Sequence, residues 1–588
     1  MCGIIFQISD KKINTNYLKD AEIFQKHRGP DFLGSKHISA ENKFLYFSHQ
    51  RLSILDLSIA ANQPMIDEES GSILIFNGEI YNYKELNKIY FPKINIKSDT
   101  EILLRMYEKF GLNMLNNLNG MFSICIYDKK KKKIFLVRDR FGIKPLYYYK
   151  NKNFIFSSEI NSIKKVFSNE LEISKESVSD YLSLGCTNGK NTIYKNVHKV
   201  DPGEYIAYDI KSKNVKCIKW YVFKKKRILI KNLNEAAEFT EENIKRSLKL
   251  WTVSDVPICF LLSGGLDSGV LSSVYNKISK ERINTFSLGF KQKKLEKWNE
   301  LEIANTLVKK INSNHKNIDL KIDDLLSKIS EMIKILGEPY GGGLPNWYIF
   351  KEIAKKSKVA ISGTGGDELF GNYDRYFRFI AGSKGKFDKK LFKLFYFFNK
   401  NYVADDAWKK KYLNFDFNKN KLPNKFFSMV NQMGLKNFKK NISFLDIKTQ
   451  LNNEFLYITD KFSMAHSLEV RTPYLDHQLV ENIYGIPEEF RMSETSYKPL
   501  LRKIGKKYLP KEYLNFPKHG FSMPLSIWMR GKLKKTVISY LGKRNLNKEG
   551  LINHTFYSDY VEKMFYGDNS NIQLIWNVFM LHAWLKIK

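Results

Sequence analysis

The chain has 588 residues, 43% of them hydrophobic and 27% charged. That length exceeds one ordinary core, so two or more domains are expected, and the apolar-to-charged balance excludes a disordered or fibrous polypeptide. Lys and Arg number 97 against 61 Asp and Glu, a formal net charge of +36. These cations are spread along the chain rather than gathered in one arm, so the surplus by itself identifies no polyanionic partner.

The five cysteines (Cys2, Cys125, Cys186, Cys217 and Cys259) are odd in number, widely spaced and without a C-x-x-C pair. This excludes a disulfide framework or zinc knuckle and fits a reducing cytoplasm. The start, Met1 to Phe6, lacks the basic and apolar segments of a signal peptide. Apolar runs such as Val256 to Leu262 fall far short of the roughly 18 residues that span a bilayer. A soluble cytoplasmic protein with no membrane partner is expected.

In chain order, the first two hundred residues read as β-rich. Strand-like runs cover Ser72 to Tyr83, Met121 to Asp128, Ile134 to Arg138, Leu146 to Tyr149 and Phe154 to Ser157. The five lysines Lys129 to Lys133 read as a solvated hairpin turn. Ser98 and Glu101 form a capping-box pattern for a helix carrying Ile102, Leu103 and Met106. Beyond about residue 230 the pattern alternates. Asn234 to Leu250 has helical spacing, while Val256 to Leu262, Thr285 to Phe290 and Val359 to Ser362 read as buried parallel strands, each followed by a glycine-containing turn. After about residue 390 the chain reads as mostly helical. No repeat or low-complexity linker interrupts it.

Cys2 follows the initiator methionine. Once Met1 is removed, its thiol and a free α-amine of pKa near 8 share one residue, a nucleophile with a local base. His27-Arg28-Gly29-Pro30-Asp31 is a turn rich in fixed donors. Asn77-Gly78-Glu79 ends an apolar strand, where a side-chain amide and a backbone N–H can face one oxyanion. Asp99 reads as a helix-dipole partner or a ligand contact.

Together with Arg51-Leu52-Ser53-Ile54 and Ser98 to Glu101, these residues resemble the glutaminase domain of class II amidotransferases, which are N-terminal nucleophile hydrolases. The resemblance implies that Cys2 attacks the glutamine side-chain amide and that Asn77 and Gly78 hold the oxyanion. It also implies that Arg51 pairs with the glutamine α-carboxylate and that Glu79 and Asp99 bind its α-ammonium. Planar arginine suits a carboxylate, and fixed carboxylates suit the ammonium.

In the second half, Ser263-Gly264-Gly265-Leu266-Asp267-Ser268 sits between a buried strand and a helix. Glycines and a helix N-terminus there present N–H groups to an anion. The string is similar to the PP-loop of ATP pyrophosphatases, which split ATP into AMP and pyrophosphate. Ser362-Gly363-Thr364-Gly365-Gly366-Asp367-Glu368 follows another strand. Asp460 to Ser467, Leu468 to His477, Lys498 to Arg502 and Lys518-His519-Gly520-Phe521-Ser522-Met523-Pro524 come later. In this order the motifs resemble the glutamine-hydrolysing asparagine synthetase family over nearly the whole chain, most weakly over residues 380–450.

The fold so implied is an α+β N-terminal domain of four αββα layers at residues 1–215. An α/β PP-loop domain with a parallel sheet and a helical C-terminal extension then fills residues 230–588. The expected partners are glutamine, ATP and a carboxylate acceptor, with Mg²⁺ held by Asp267 and Asp367. By the same resemblance Leu262, Leu288, Ser362 and Gly363 hold adenosine, and Ser263, Gly264, Gly265, Asp267 and Ser268 hold pyrophosphate. Lys518 neutralises charge in the reaction, with Lys498 and Arg502 on the phosphate side. Glu469, Arg471 and Asp476 read equally as structural ion-pair partners. A homodimer follows from the family alone.

Two departures bear on the acceptor. The family usually carries Glu or Asp where this chain has Thr364, which hydrogen-bonds but holds no charge. Gly341-Gly342-Gly343 replaces more polar residues and suggests room for a larger acceptor. Aspartate is the leading acceptor, and a uronic acid of a surface polysaccharide is the alternative. A nucleic-acid-modifying PP-loop protein would need a catalytic cysteine pair or an RNA-binding appendage, and a silent scaffold would not keep every glutaminase residue.

Overall fold

A computed structural model of the chain describes residues 2–587 except 152–153, 224–225, 280, 291–298, 372, 374, 377–402, 420, 433–437, 494–495 and 517–522. The strands of the first part are β1 (Gly3–Ser9), β2 (Phe32–Ala40), β3 (Lys43–Arg51), β4 (Met65–Ile66), β5 (Ile73–Ile80) and β6 (Gly120–Asp128). They continue with β7 (Lys133–Arg138), β8 (Tyr147–Lys150), β9 (Phe154–Ser157), β10 (Val197–Lys199), β11 (Glu204–Asp209) and β12 (Val215–Lys219). Among the described residues these form two sheets, ordered β10-β8-β9-β1-β3-β2 and β12-β11-β7-β6-β5-β4, with antiparallel pairing throughout.

Side-chain alternation explains why the two sheets stack. Phe6, Phe47 and Phe156 of the first sheet and Ile75, Cys125 and Leu136 of the second point into one shared core, as period-two strands require. The opposite faces carry helices. α1 (Thr15–Gln25) lies on the first sheet and α2 (Tyr83–Tyr90) and α3 (Asp99–Phe110) on the second, while α4 (Ile160–Phe167) and α5 (Lys175–Leu184) return to the first. The result is the four-layer αββα arrangement.

Local chemistry sets the ends of these elements. Asp128 accepts from Lys131 N–H at 2.7 Å and pairs with its Nζ at 2.8 Å, so the lysine run is an exposed hairpin turn. Ser98 Oγ accepts from Glu101 N–H at 3.1 Å, but the Glu101 carboxylate turns to Arg105 Nε at 2.8 Å. The expected capping box is therefore a single N-cap followed by an i,i+4 ion pair.

α6 (Leu233–Trp251) leads into a parallel sheet of β13 (Ile258–Leu261), β14 (Asn284–Gly289), β15 (Asn314–Asp319), β16 (Val359–Ile361) and β17 (Glu469–Arg471), ordered β15-β14-β13-β16-β17. The strand order reverses at β13, and ligands of open α/β sheets bind beside such a reversal, outside the carboxyl ends of the strands. Phe260 of β13 pairs with Ile361 of β16, so the loops that follow both strands leave the sheet side by side. α7 (Leu266–Ile278) starts directly after the first of these loops. Helices dominate the remainder.

The two halves share packed surfaces. The Tyr81 and Trp251 rings lie 4.6 Å apart, Asn119 Nδ2 donates to Asp476 at 2.8 Å, and Asn452 Nδ2 donates to the Phe141 carbonyl at 2.8 Å. Among the described residues, no helix is long and apolar enough to cross a membrane.

Candidate functional site

Cys2 lies buried at the head of β1, and its N–H donates to Asn77 Oδ1 at 3.0 Å. Asn77 Nδ2 reaches Ser158 Oγ at 3.4 Å, which fixes the amide's orientation across the two sheets. Gly78 has φ +149, and a Cβ there would lie 2.0 Å from the Met121 carbonyl oxygen, so only glycine fits at this position, next to Asn77. Burial pushes the Cys2 thiol up, while positive charge at the chain start and the Leu52 N–H pull it down.

Arg51 sits under the same site, but its guanidinium is largely committed. It donates to the Ser58 carbonyl and Asn62 Oδ1 at 2.7 Å each, and also to the Leu55 and Asp56 carbonyls. Its first task is therefore to shape the loop over residues 55–62.

Glu79 and Asp99 lie close enough to influence each other's charge, and a third carboxylate, Glu469, acts on both from β17 of the other half. Burial, then Glu469 and Asp99, holds Glu79 well above the usual carboxylate range. Burial also raises Asp99 to about 6 against the hydrogen bond it accepts from Ile80 N–H at 3.0 Å. Burial opposes ionisation of Glu469 too, but positive charge at the chain start and Arg471 hold it down at about 2. Glu79 Oε2 and Tyr81 Oη are buried without a hydrogen-bond partner among the described residues. Such a group of acceptors suits an incoming ammonium.

Glu469, Arg471 and Asp476 are chiefly structural. Arg471 donates to Glu469 at 2.5 Å and to the Trp251 and Val253 carbonyls at 3.1 and 2.6 Å. Asp476 caps the helix His477–Gly485 through the N–H groups of Gln478 and Leu479 at 2.9 and 3.1 Å. The reach of Glu469 toward the first site was not legible in the sequence, because it depends on two distant segments meeting.

At the second site, the β13 loop is tied into a tight turn. Ser263 Oγ and Ser268 Oγ lie 2.9 Å apart, Gly265 N–H donates to Ser263 Oγ at 3.1 Å, and Gly265 at the N-cap of α7 offers no side chain to cap it. The N-terminal end of α7 is thus turned toward the loop, the kind of helix end that suits an anion. Tyr513, which the sequence did not single out, supports the turn by donating to the Ser263 and Gly265 carbonyls at 2.5 and 3.0 Å. Glu300 Oε2 accepts from Gly264 N–H at 3.3 Å.

The β16 loop packs directly against the first. A Cβ on Gly363 would meet Ser268 N at 3.1 Å, and one on Gly366 would meet Asp267 Oδ1 at 2.5 Å. Leu262 and Leu288 lie buried at the adjoining ends of β13 and β14. Ser362 Oγ and Thr364 Oγ1 share a hydrogen bond at 2.8 Å. Lys498 Nζ lies 2.5 Å from Asp267 Oδ1 and 2.5 Å from Asp367 Oδ1, so both carboxylates converge on one cation. That convergence fits a site able to face Mg²⁺, whose remaining ligands come from water and phosphate. Arg502 is turned away and donates to the Tyr497 and Leu514 carbonyls at 3.0 and 2.8 Å. Lys518 lies outside the described residues.

The glycine run corrects one expectation. A Cβ on Gly341 would fall 2.1 Å from Asn577 Oδ1, and one on Gly342 would fall 2.1 Å from Tyr340 Oη. Of the three, Gly343 alone would meet no atom of the described residues within 4 Å. Gly341 thus lets the loop pack against the C-terminal helix Ile572–Ile587 and Gly342 lets it pack against Tyr340, which leaves no larger pocket at those two positions.

The chain thus joins an αββα half, with Cys2 buried at the head of β1, to a parallel-sheet half with a glycine-rich turn between β13 and α7. Residues 1–221 match the glutamine amidotransferase domain family and residues 240–586 match the asparagine synthase family. Asparagine synthetase [glutamine-hydrolyzing] 1 of Bacillus subtilis (strain 168) is 28% identical over 95% of this chain and 92% of its own length. Putative asparagine synthetase [glutamine-hydrolyzing] 2 of Methanocaldococcus jannaschii is 33% identical over 66% of this chain and 78% of its own. Amidase chry2 of Gibberella zeae is 26% identical over 92% of this chain and 89% of its own. The chain belongs to the asparagine synthase family. It is an ATP-dependent carbon–nitrogen ligase of the glutamine-hydrolysing type.

Proposed function

We infer that residues 1–215 hydrolyse glutamine and residues 230–588 amidate aspartate to asparagine. The Cys2 thiol attacks the side-chain amide carbon, the α-amine accepts the thiol proton, and Asn77 with Gly78 N–H holds the oxyanion. Ammonia leaves, and water releases glutamate from the thioester. Arg51 takes the substrate α-carboxylate, and Glu79 and Asp99 take its α-ammonium.

In the second half the acceptor carboxylate attacks the α-phosphorus of ATP and pyrophosphate departs. Ammonia then displaces AMP from the acyl-adenylate. Ser263, Gly264, Gly265, Asp267 and Ser268 hold the phosphates, and Leu262, Leu288, Ser362 and Gly363 hold the nucleoside. Lys518 is assigned to neutralising charge on the departing pyrophosphate. Mg²⁺, carried on Asp267 and Asp367, would offset phosphate charge.

The observation that carries this reading is the meeting of the β13 and β16 loops with both aspartates aimed at one point. Thr364 favours a second reading, a uronic acid acceptor, because its hydroxyl pair with Ser362 offers hydrogen bonds where the family usually offers a charge. The test supplies glutamine, ATP and Mg²⁺ with either aspartate or uronic acids and measures AMP, pyrophosphate and amide. Asparagine with equimolar AMP supports the first reading. Amide from uronic acids alone supports the second, and ADP with orthophosphate contradicts both.

A further inference from the structure

We propose that Lys498 is a resident counter-ion that keeps the Asp267–Asp367 pair closed to a free divalent cation until nucleotide arrives. This rests on the reading of those two aspartates as the metal-facing pair.

The Lys498 side chain is 2% exposed, deeper than Asp267 at 14% and Asp367 at 24%. Its Nζ lies 2.5 Å from one oxygen of each aspartate and also contacts the second oxygen of Asp267. A divalent ion drawn to the same oxygens meets a fixed positive charge at contact distance. The ammonium does not simply leave, because a buried charge stripped of its partners is strongly disfavoured.

The backbone is poised as well. Lys498 has φ +50, a left-handed conformation, directly before Pro499, where steric contact with the proline ring favours extended geometry. Its N–H donates to the Gly371 carbonyl at 3.3 Å, at the end of the short helix that carries Asp367. Side chain and strained backbone are thus held by the same neighbours.

The phosphate loop mirrors this arrangement. Glu300 sits on Gly264 N–H at 3.3 Å, where the proposed function puts a phosphate. The resting site therefore holds a cation in the metal's place and a carboxylate in the phosphate's place. A free metal ion displaces only the first, and leaves the ammonium without a partner. A metal–nucleotide complex replaces both, and its phosphates offer Lys498 new oxygen partners. Metal and nucleotide enter together.

The test is Mn²⁺ binding by the full-length protein, followed by electron paramagnetic resonance without any turnover. Wild type is expected to take up Mn²⁺ with a non-hydrolysable ATP analogue and not with Mn²⁺ alone. Lys498→Met and Lys498→Gln are expected to take up Mn²⁺ alone, roughly tenfold more tightly or better. Adding Asp267→Asn to either variant should abolish that uptake. Nucleotide-free wild type binding Mn²⁺ as tightly as with the analogue overturns the proposal, and this arm needs no variant to fold. If no protein takes up Mn²⁺ even with the analogue, or if Asp267→Asn changes nothing, the metal assignment itself is overturned.

Discussion

Arg28 and Asp460, 432 residues apart in sequence, form a two-pronged buried ion pair with contacts of 2.9 and 3.1 Å. The same guanidinium donates through Nε to the Cys2 carbonyl at 3.0 Å and through Nη1 to Glu159 at 2.6 Å. Lys461, beside Asp460, also pairs with Glu159. The main chain of the proposed nucleophile is therefore anchored to a helix of the other half.

Asp460→Ala should consequently act at two levels. Removing one partner of a buried pair costs about 3–5 kcal/mol, which should appear as a lower unfolding midpoint in denaturant. Glutaminase turnover should fall in parallel, because Arg28, whose Nε holds the Cys2 carbonyl, loses the two-pronged partner that orients its guanidinium. An unchanged midpoint and unchanged turnover would show that the pair is incidental.

The raised Asp99 gives a pH signature. Its folded value is about 6 against an ordinary 3.8. Between those values the folded chain holds a proton that the unfolded chain does not, so stability from this group is present at low pH and lost as pH rises through the window. Binding the substrate ammonium requires the ionised form and runs the other way. The KM for glutamine should rise as pH falls below about 6. Asp99→Asn should raise KM roughly 10- to 150-fold, matching about 1.5–3 kcal/mol for a charged hydrogen bond, and flatten that limb. A KM indifferent to both changes would remove Asp99 from the glutamine site.

The glycine loop yields a paired test. Gly341→Ala drives a methyl group into Asn577 and should cost about 1–3 kcal/mol by overpacking, with a matching loss of acceptor-dependent AMP release. Gly343→Ala meets nothing within 4 Å among the described residues and should be neutral. Thermal unfolding and AMP release on both variants decide it, and equal effects would refute the packing account.

Much of this was legible in the sequence because the signals were local. The hairpin around Lys129 to Lys133, the turn at Ser263 to Ser268 and the strand positions of Phe154 to Ser157 depend on adjacent residues. β15 and β17 were not anticipated. The first is a polar edge strand, Asn314–Asp319, and the second has three residues, so neither shows a hydrophobic period. Lys498 looked like phosphate-side support, and only folding reveals it between two aspartates. The glycine run reads as room for a larger acceptor, but Asn577, more than 200 residues away in sequence, fills the space at Gly341 and the Tyr340 ring fills it at Gly342.

The most direct measurement is synthesis by Cys2→Ala with either glutamine or ammonium chloride as nitrogen source, following amide and AMP. Glutamine-dependent amide should fall by roughly 10³-fold or more, as for other deleted nucleophiles, while ammonium-dependent synthesis persists. Loss of both together, or survival of the glutamine-dependent reaction, would contradict two separate centres joined by ammonia.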